Sequence, residues 1–442
     1  MKRILILLVL VYSFSSCNVL DVEPTNSIPA SEAFKTKADL NRGILGAYNS
    51  LQGLSYYGRA YLTVSDLSAD NLLYPPSATT ADYLDIDNNH ILPENGVIEG
   101  IWGVAYDGLN VANNVIAKIP EMSFLNQDEK NVALAELYFL RALNHFNLLN
   151  YFGGIPIKTK PTIGLSEINA ARNSPEEVYA TIIQDLTFAS TYLPKSSASK
   201  IRASQGAANA LLARVYLYKK DYADAVIYAS KVIDDNNYSL MSNYSDIFAA
   251  DESKESIFEI DFTSLDRNRI AEYNFPLTLN GRGSVGPDPG IVSAYEANDK
   301  RKDASIAFAG TIPYAIKYHD LATGSDNVIV LRLAEMYLIR AEANARLNGN
   351  INDIRKDLNT IRSRAGLEEA VANSIDELLL AIEAERRVEL AFEGHRWFDL
   401  VRTDRAIDLL PNVTQKYQYL FPIPQSELLA NTNPGMKQNP GY

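Results

Sequence analysis

The sequence is poor in the residues that cross-link a fold or hold a metal ion. Its 442 residues include one cysteine, Cys17, so an intramolecular disulfide cannot form. Its four histidines, at positions 90, 145, 319 and 395, lack the close spacing of zinc ligands. We therefore expect neither a disulfide framework nor a metal site of this kind.

Positive charge is also scarce. The chain has 41 basic against 54 acidic residues, which gives it a formal net charge of −13 at pH 7. Proteins that bind nucleic acid need clustered basic residues to neutralise phosphate groups. The composition therefore indicates that nucleic acid is not a partner.

An apolar run near the N-terminus is too short to cross a membrane. It follows two basic residues and extends from Ile4 to Val11, whereas a spanning helix needs ~20 residues. Small residues then lead to Cys17. This pattern is typical of a bacterial lipoprotein signal peptide, so we expect residues 1–16 to be removed and Cys17 to be lipidated. The alternative for Cys17 is an ordinary buried or free thiol.

Apolar residues recur at helical spacing and predict paired helices. One apolar face comprises Tyr222, Ala225, Val226, Ala229, Val232 and Ile233. A helix over Ala208–Val215 precedes it, and the connection at residues 219–221 is too short for anything but an antiparallel pair. Residues 212–237 also follow the tetratricopeptide pattern.

The same periodicity predicts three more helix pairs. They are Asn131–Asn150 with Pro175–Leu193, Leu331–Leu347 with Ile351–Arg364, and a pair that starts at Ser374. Ser174 before Pro175, and Ser374 three residues before Glu377, have the pattern of helix N-caps. Because no linker-like stretch divides these segments, we predict one mostly α-helical body.

The last of these helices carries charged residues on its apolar face. The helical period brings Glu385, Arg386, Glu389 and Glu393 to that face. Paired carboxylates also serve as acid and base in glycoside hydrolases. However, arginines at positions 386, 387, 396 and 402 supply partners for the carboxylates, so we predict a buried ion-pair network.

Tyrosines gather between Ser55 and Asn89, where the helical period is lost. The stretch also holds Asp, Asn and Arg among Pro, Ser and Thr. Tyrosine rings stack on sugar rings or contact peptides, and the polar side chains pair with hydroxyl groups. We predict ligand-binding loops here, with about half of the rings covering the core instead.

Residues Gly281–Gly286 match the dinucleotide-binding string GxGxxG. Pro287, Asp288 and Pro289 follow at once, where the N-terminus of a helix would have to begin. Without that helix no dipole faces a pyrophosphate group, so we do not expect a nucleotide cofactor.

The chain also contains an ordered set of short motifs. They are Leu20-Asp21-x-x-Pro24, Phe152-Gly153-Gly154-Ile155-Pro156, Leu331-Arg332-Leu333-Ala334-Glu335, Asn359-x-x-Arg362-x-Arg364-Ala365-Gly366-Leu367, Glu385-Arg386-x-x-Glu389-Leu390, Phe398-Asp399-Leu400 and Gln438-Asn439-Pro440-Gly441-Tyr442. Each motif is weak alone, but their order together resembles the SusD/RagB family of outer-membrane nutrient-binding lipoproteins.

The resemblance implies a mostly α SusD-like fold. In that fold, tetratricopeptide-like helix pairs form a scaffold with an irregular, loop-rich ligand-binding insertion. It implies a single domain over residues 17–442, with ligand-binding loops in 17–300 and the SusD/RagB part in 301–442. It also implies a lipoprotein without catalytic activity, anchored in the outer membrane by its lipid and exposed at the cell surface.

The resemblance also implies a ligand and a partner. We expect the chain to capture oligosaccharide and deliver it to a SusC-like TonB-dependent transporter. A peptide-capturing RagB-like lipoprotein, a secreted polysaccharide hydrolase and a repeat scaffold that binds only proteins are the alternatives. By position, the resemblance assigns ligand contact to Tyr57, Asp66, Asp70, Asn71, Tyr74, Tyr83 and Arg282.

Two further features of the sequence restrict the class of ligand and the cofactors that we expect. Starch-binding members of the family have prominent tryptophans in their aromatic arc, but Trp102 and Trp397 lie outside the tyrosine-rich stretch, so we expect both in the core. No cofactor is expected. Asp85-Ile86-Asp87-Asn88-Asn89 resembles the start of a calcium loop, but His90 replaces its glycine, so Ca²⁺ is kept only as an alternative.

Overall fold

The computed structural model of the protein describes residues 33–197 and 199–442. The predicted signal peptide, residues 1–16, and the predicted lipidation site, Cys17, lie outside the described residues. The division of the domain at residue 300 stays a prediction.

Helices make up most of the described residues. The α-helices are α1 Lys37–Asn49, α2 Ala60–Leu67, α3 Ala81–Asp87, α4 Gly96–Lys118, α5 Gln127–Phe152, α6 Leu165–Ile168, α7 Pro175–Tyr192, α8 Gln205–Lys219, α9 Tyr222–Ile233, α10 Ile270–Asn274, α11 Pro289–Ala294, α12 Lys302–Ser305, α13 Leu333–Arg346, α14 Ile351–Ala365, α15 Ile375–Glu389, α16 Arg396–Arg402, α17 Ala406–Leu409 and α18 Gln425–Ala430. The strands are β1 Leu72–Leu73, β2 Ser256–Ile260, β3 Gly286–Pro287, β4 Ile306–Ala309, β5 Ile312–Ala315 and β6 Val328–Arg332.

Local sequence signals set several of the helix ends. The Ser174 and Ser374 side chains each accept a hydrogen bond from the backbone N–H of the third residue of the helix that follows. The side chains of Glu177 and Glu377 in turn accept a hydrogen bond from the backbone N–H of the cap residue. Both predicted N-caps are therefore confirmed. Gly366 ends α14 with φ of 82°, a left-handed conformation that glycine adopts without steric cost.

The long helices pack in chain order as a helical repeat. Helix α5 packs against α4 and α7, α7 against α8, and α8 against α9. Helix α9 then packs against α13, which packs against α14 and α15. Three predicted pairs, α5 with α7, α8 with α9 and α13 with α14, are therefore confirmed. The contact of α4 with α5 was not predicted.

The fourth predicted pair is not formed as expected. Helix α15 packs onto the α13–α14 pair, and the next helix, α16, packs against α2. The connection between α15 and α16 contains Phe392 at φ 65° and Gly394 at φ 81°. These two left-handed residues redirect the chain away from α15, so α16 reaches the tyrosine-rich segment instead.

The face of α15 carries the predicted ion-pair network. The Glu389 side chain is fully buried and contacts Arg301 Nη1 at 3.0 Å, Arg332 Nη1 at 2.6 Å, and Arg364. Burial alone would raise the pKa of Glu389, but the three guanidinium groups lower it far below its ordinary value. The network is confirmed, although the sequence did not identify Arg301, Arg332 or Arg364 as its arginines.

The paired carboxylates of α15 serve as partners in this ion-pair network. The Glu385, Glu389 and Glu393 side chains are at most 3% exposed, and each accepts hydrogen bonds from buried cationic side chains. Arg386 binds Asp399 through two hydrogen bonds of 2.9 Å. Carboxylates held in this way cannot reach a polysaccharide at the surface, so the network does not provide the acid and base of a glycoside hydrolase.

Candidate ligand-binding surface

Two segments that are far apart in sequence form one surface. Strand β1 pairs with β3 in antiparallel register, Leu72 with Pro287 and Leu73 with Gly286. The N–H of Asp288 donates to the Asn71 carbonyl at 3.0 Å. The tyrosine-rich stretch at residues 55–89 is thereby joined to the loop at residues 281–288.

The segment after α10 folds into a tight turn. The N–H of Gly281 donates to the Pro276 carbonyl at 3.2 Å, and the N–H of Gly283 donates to the Phe275 carbonyl at 2.8 Å. A Cβ atom on Gly281 would clash with the Phe275 carbonyl oxygen, and Gly283 has φ of 54°. Gly281 and Gly283 therefore serve this turn, whereas Gly286 lies in β3. The expectation that no helix follows the string is wrong, because the short helix α11 begins at Pro289.

A polar cleft opens beside this turn. Its volume is ≈ 610 Å³, and it is lined by Arg267, Glu272, Asn280, Arg282, Leu321 and Ala322. The Arg282 Nε donates to Glu272 Oε1 at 2.5 Å. Guanidinium, amide and carboxylate groups at a partly open cleft can hydrogen-bond to ligand hydroxyls.

Tyr273 lies among the arginines of this cleft. The Arg59 Cζ atom is 4.2 Å from the centre of its ring, and the Arg282 Cζ atom is 5.1 Å from it. Both distances are within the range of cation–π contacts. The Tyr273 side chain remains partly exposed, so its ring belongs to both the core and the surface.

An apolar groove adjoins the other part of the same turn. Its volume is ≈ 400 Å³. It is lined by Leu73, Pro75, Ser77, Asn274, Pro276, Leu277, Thr278, Gly283, Val285, Gly286, Pro287, Pro289, Ile312 and Pro313. Prolines and a β4–β5 hairpin shape its walls, since Ile312 and Pro313 belong to β5. The turn at residues 275–283 thus separates a polar recess from an apolar one.

Two of the predicted ligand-binding tyrosines lie in the core. The Tyr57 and Tyr83 side chains are 3% and 0% exposed. The Tyr57 hydroxyl accepts a hydrogen bond from Asn147 Nδ2 at 2.9 Å, and burial raises the pKa of Tyr57 to about 12. Their rings pack among apolar side chains, so the prediction that they contact a ligand is not upheld for either residue.

Two of the predicted polar contacts are also internal. Asp66 and Asn71 are 0% and 1% exposed. The Asn71 Nδ2 donates to Asp66 Oδ1 at 2.6 Å, and the Gly394 N–H donates to Asp66 Oδ2 at 3.2 Å. Because these polar atoms are used inside the protein, neither residue is placed to contact a ligand.

Asp70 holds the tyrosine-rich segment to the C-terminal part of the chain. Its carboxylate accepts two hydrogen bonds from Arg396, at 2.6 and 3.0 Å, and lies 3.1 Å from Arg387 Nη2. Burial would raise the pKa of Asp70, but these guanidinium groups lower it. The structure therefore gives Asp70 a positioning role, and its predicted ligand contact remains untested.

The two remaining predicted residues are exposed to different extents. The Tyr74 side chain is partly buried and packs against the main core, while its neighbours Leu73 and Pro75 line the apolar groove. The Arg282 side chain is 52% exposed and lines the polar cleft. Of the seven predicted residues, Arg282 is the one that lines either recess, and its contact with a ligand stays a prediction.

The sequence reasoning missed several residues of the cleft. Tyr273, Arg267 and Asn280 were not among the predicted ligand contacts, although all three lie at or beside the cleft. Charge did not mark this region, because Asp261, Asp266 and Glu272 balance Arg267, Arg269 and Arg282 in the same part of the sequence.

Because the Asp66 carboxyl group is buried, we expect the free energy of unfolding of the protein to depend on pH. Burial raises its pKa to about 7, although hydrogen bonds from Asn71 and Gly394 oppose the shift. An unfolded aspartate has a pKa of about 3.9, so between about pH 4 and pH 7 the folded protein retains a proton that the unfolded chain has released. The free energy of unfolding should therefore fall as the pH rises through that window.

Replacing Asp66 by asparagine should remove this dependence. We expect the loss of unfolding free energy between pH 5 and pH 8, measured by urea titration, to be smaller in Asp66→Asn than in the unaltered protein. An equal loss in both proteins would contradict the raised pKa.

No group of three or more His, Cys, Asp or Glu side chains that could hold a metal ion occurs within residues 33–197 and 199–442. Asp85 and Asp87, of the calcium-loop resemblance, belong to helix α3. The Ca²⁺ alternative remains untested. Among the described helices, none has the length and apolar character needed to span a lipid bilayer.

The fold and this surface define a class of protein, a helical-repeat scaffold that carries a loop-built surface with two recesses. A sequence model described as "SusD family" matches residues 317–417, and another, described as "Starch-binding associating with outer membrane", matches residues 18–217. The chain belongs to the SusD/RagB family. This result confirms the family that the order of motifs suggested.

Known relatives resemble the chain along most of its length. SusD-like protein P2 of Formosa agariphila is 29% identical over 501 residues, with 98% of each chain covered. The starch-binding protein SusD of Bacteroides thetaiotaomicron is 26% identical over 416 residues, with 70% of this chain and 72% of the relative covered.

Solved structures share the fold. A laminarin-binding SusD-like protein superposes with a TM-score of 0.82 at 26% identity, covering 92% of this chain and 100% of that one. A SusD superfamily protein from Bacteroides vulgatus superposes with a TM-score of 0.85 at 21% identity, covering 92% and 99%. The predicted SusD-like fold is thus confirmed. Trp102 and Trp397 are 4% and 0% exposed, so both tryptophans lie in the core as expected.

Proposed function

We propose that the protein is a cell-surface glycan-binding lipoprotein that captures oligosaccharide at the polar cleft beside the 275–283 turn. It would deliver the oligosaccharide to a SusC-like TonB-dependent transporter in the outer membrane and would not cleave it. Lipidation at Cys17 would anchor it there. The names of relatives that bind starch or laminarin support a glycan as the ligand class.

The observation that carries this proposal is the position of the Tyr273 ring beside Arg282, a residue that lines the cleft. Sugar rings bind proteins through C–H contacts with aromatic rings and through hydrogen bonds from polar side chains to their hydroxyls. The partly exposed Tyr273 ring lies beside Arg282, and Asn280 and Glu272 line the same cleft. This arrangement suits an oligosaccharide better than an extended apolar peptide.

The rest of the fold supports capture without catalysis. The most conspicuous paired carboxylates, on α15, are buried and bound by arginines. The cleft itself has a single carboxylate in its lining, Glu272, and that group binds Arg282. Retaining and inverting glycosidases need two carboxyl groups at ~5 to 9.5 Å, one of them free to donate a proton.

Binding and turnover should be measured together. The purified chain is titrated calorimetrically with a panel of oligosaccharides, and each mixture is then examined for shorter products by chromatography. We expect at least one oligosaccharide to bind and to remain intact. A shortened product would contradict the non-catalytic function, and binding of a peptide mixture but of no glycan would favour the RagB-like alternative.

A second arm of this experiment tests the location. Cells that produce the chain should bind a fluorescent form of the same oligosaccharide at their surface, and Cys17→Ser cells should lose this binding while the purified variant retains its affinity. Surface binding that persists in Cys17→Ser would contradict the lipid anchor.

A further inference from the structure

The surface of the polar cleft concentrates arginine side chains, although the whole chain is acidic. The chain carries a net charge of −13, yet four arginines meet around Tyr273 and Glu272. They are Arg59, Arg267, Arg269 and Arg282. A concentration of positive charge at a cleft attracts negatively charged ligands.

Among the residues that the structure describes, these arginines have few acceptors. Arg282 binds Glu272 at 2.5 Å, whereas Arg267 Nη2 and Arg269 Nε lie 3.8 and 3.6 Å from the other oxygen of the same carboxylate. Arg59 has no carboxylate within 4.0 Å in the part of the chain that the structure describes, and it lies over the Tyr273 ring. One carboxylate is therefore shared among several guanidinium groups.

The inner nitrogen atoms of the cluster also lack acceptors among the described residues. Within residues 33–197 and 199–442, the Nε atoms of Arg59, Arg267 and Arg269 are buried without a hydrogen-bond acceptor. A ligand cannot reach these buried Nε atoms, but the side chains of Arg267 and Arg269 are 38% and 36% exposed, so their other N–H donors can bind an anion.

The acidic residues of the neighbouring turn do not supply this acceptor. Asp326 accepts hydrogen bonds from the backbone N–H groups of His319 and Asp320, at 2.6 and 2.5 Å. Asp320 accepts from the N–H and hydroxyl of Ser325, at 3.0 and 2.8 Å. Both carboxylates are thus used within the turn at residues 319–326, whose Leu321 and Ala322 line the cleft.

We propose that the oligosaccharide of this protein carries negative charge, as a carboxylate or a sulfate ester, and that Arg59, Arg267, Arg269 and Arg282 bind the charged groups. This inference rests on the proposed function, because it names the class of glycan at the same cleft. Arginine binds both anions through paired N–H donors, and these charge-assisted hydrogen bonds are stronger than neutral ones. Tyr273 would contact the sugar ring between them.

Matched pairs of charged and neutral glycans show whether the charge or the sugar itself determines the affinity. The purified chain is titrated with an oligogalacturonate and its neutral methyl ester, and with a sulfated galactan oligosaccharide and its desulfated form. We expect one charged form to bind about 10-fold or more tightly than its neutral partner at low salt. The difference should narrow at high ionic strength, because salt screens partly exposed charges. The pair that shows the preference distinguishes carboxylate from sulfate.

Variants test whether the cluster causes the preference. Arg59→Gln/Arg282→Gln should bind the charged and neutral forms with nearly equal affinity. Arg42→Gln is the matched control, because Arg42 is an exposed arginine on α1 that pairs with Asp39, and it should retain the preference. Equal melting temperatures of the variants and the unaltered protein verify that the fold is retained.

The outcomes distinguish a failure of this inference from a failure of the proposed glycan-binding function. Binding of only the neutral forms, or a preference that persists in Arg59→Gln/Arg282→Gln, overturns this inference and leaves the glycan-binding function standing. If neither member of any pair binds and the wider panel of neutral oligosaccharides also fails, the glycan-binding function itself is overturned.

Discussion

The Glu389→Ala variant is expected to lose about 3 to 5 kcal/mol of unfolding free energy, because removing one member of a buried ion-pair network leaves the others uncompensated. The Glu389 side chain is fully buried and contacts Arg301, Arg332 and Arg364. Without it, three guanidinium groups face one another with fewer anions between them. Urea or guanidinium titration measures the change in unfolding free energy directly.

Glu369→Ala is the matched control for this prediction. Glu369 is exposed in the segment after α14, and surface substitutions of this kind change stability by about 0.5 kcal/mol or less. If Glu389→Ala were as stable as Glu369→Ala, the network would not contribute to the fold as described.

The effect of Glu389→Ala should also depend on pH. The guanidinium groups lower the pKa of Glu389, so the folded state keeps the carboxylate charged where the unfolded chain would protonate it. The stability that Glu389 provides is therefore fully present above its unfolded pKa of about 4.3 and decreases as the pH falls below it. The difference between the two proteins should shrink in acid.

The largest expected effect on binding is that of Tyr273→Ala. Loss of a central aromatic contact at a binding site costs about 2 kcal/mol or more, which corresponds to a roughly 30-fold loss of affinity. Two effects contribute to this loss. The ring no longer contacts Arg59 and Arg282, and its part of the exposed surface is removed. Calorimetric titration with an oligosaccharide that binds the unaltered protein measures this loss.

Two control variants show whether the loss of affinity comes from the ring of Tyr273 at this position. Tyr273→Phe keeps the ring and removes the hydroxyl, which lies 3.5 Å from Arg282 Nη1, so its affinity should remain close to that of the unaltered protein. Tyr192→Ala removes a tyrosine that is 41% exposed at the end of α7, remote in sequence from the cleft, and should leave binding unchanged. Unimpaired binding by Tyr273→Ala would exclude the cleft as the site.

The helical scaffold was largely predictable because its signals are local. Periodic apolar residues and the caps at Ser174 and Ser374 lie within a few positions of the helices that they define. The fourth pair failed because a helical period does not reveal where the chain turns after the helix ends. The left-handed conformations of Phe392 and Gly394, which set the path to α16, depend on contacts with distant residues.

The ligand-binding residues were harder to predict for the same reason. A tyrosine in an irregular stretch is equally compatible with a surface or a core position until its distant partners are known. Tyr57 meets Asn147, 90 positions away, and Asp70 meets Arg396, 326 positions away. The arginine cluster likewise combines Arg59 with residues 267–282, so neither segment alone indicated a cationic site.

The double attachment of the tyrosine-rich segment has a consequence for affinity. One attachment is the short β1–β3 ladder, and the other is the pair of hydrogen bonds from Arg396 to Asp70. Conformational entropy that a free loop would lose when it meets a ligand is here lost already during folding. A ligand of this surface would therefore meet a segment that is already ordered before binding.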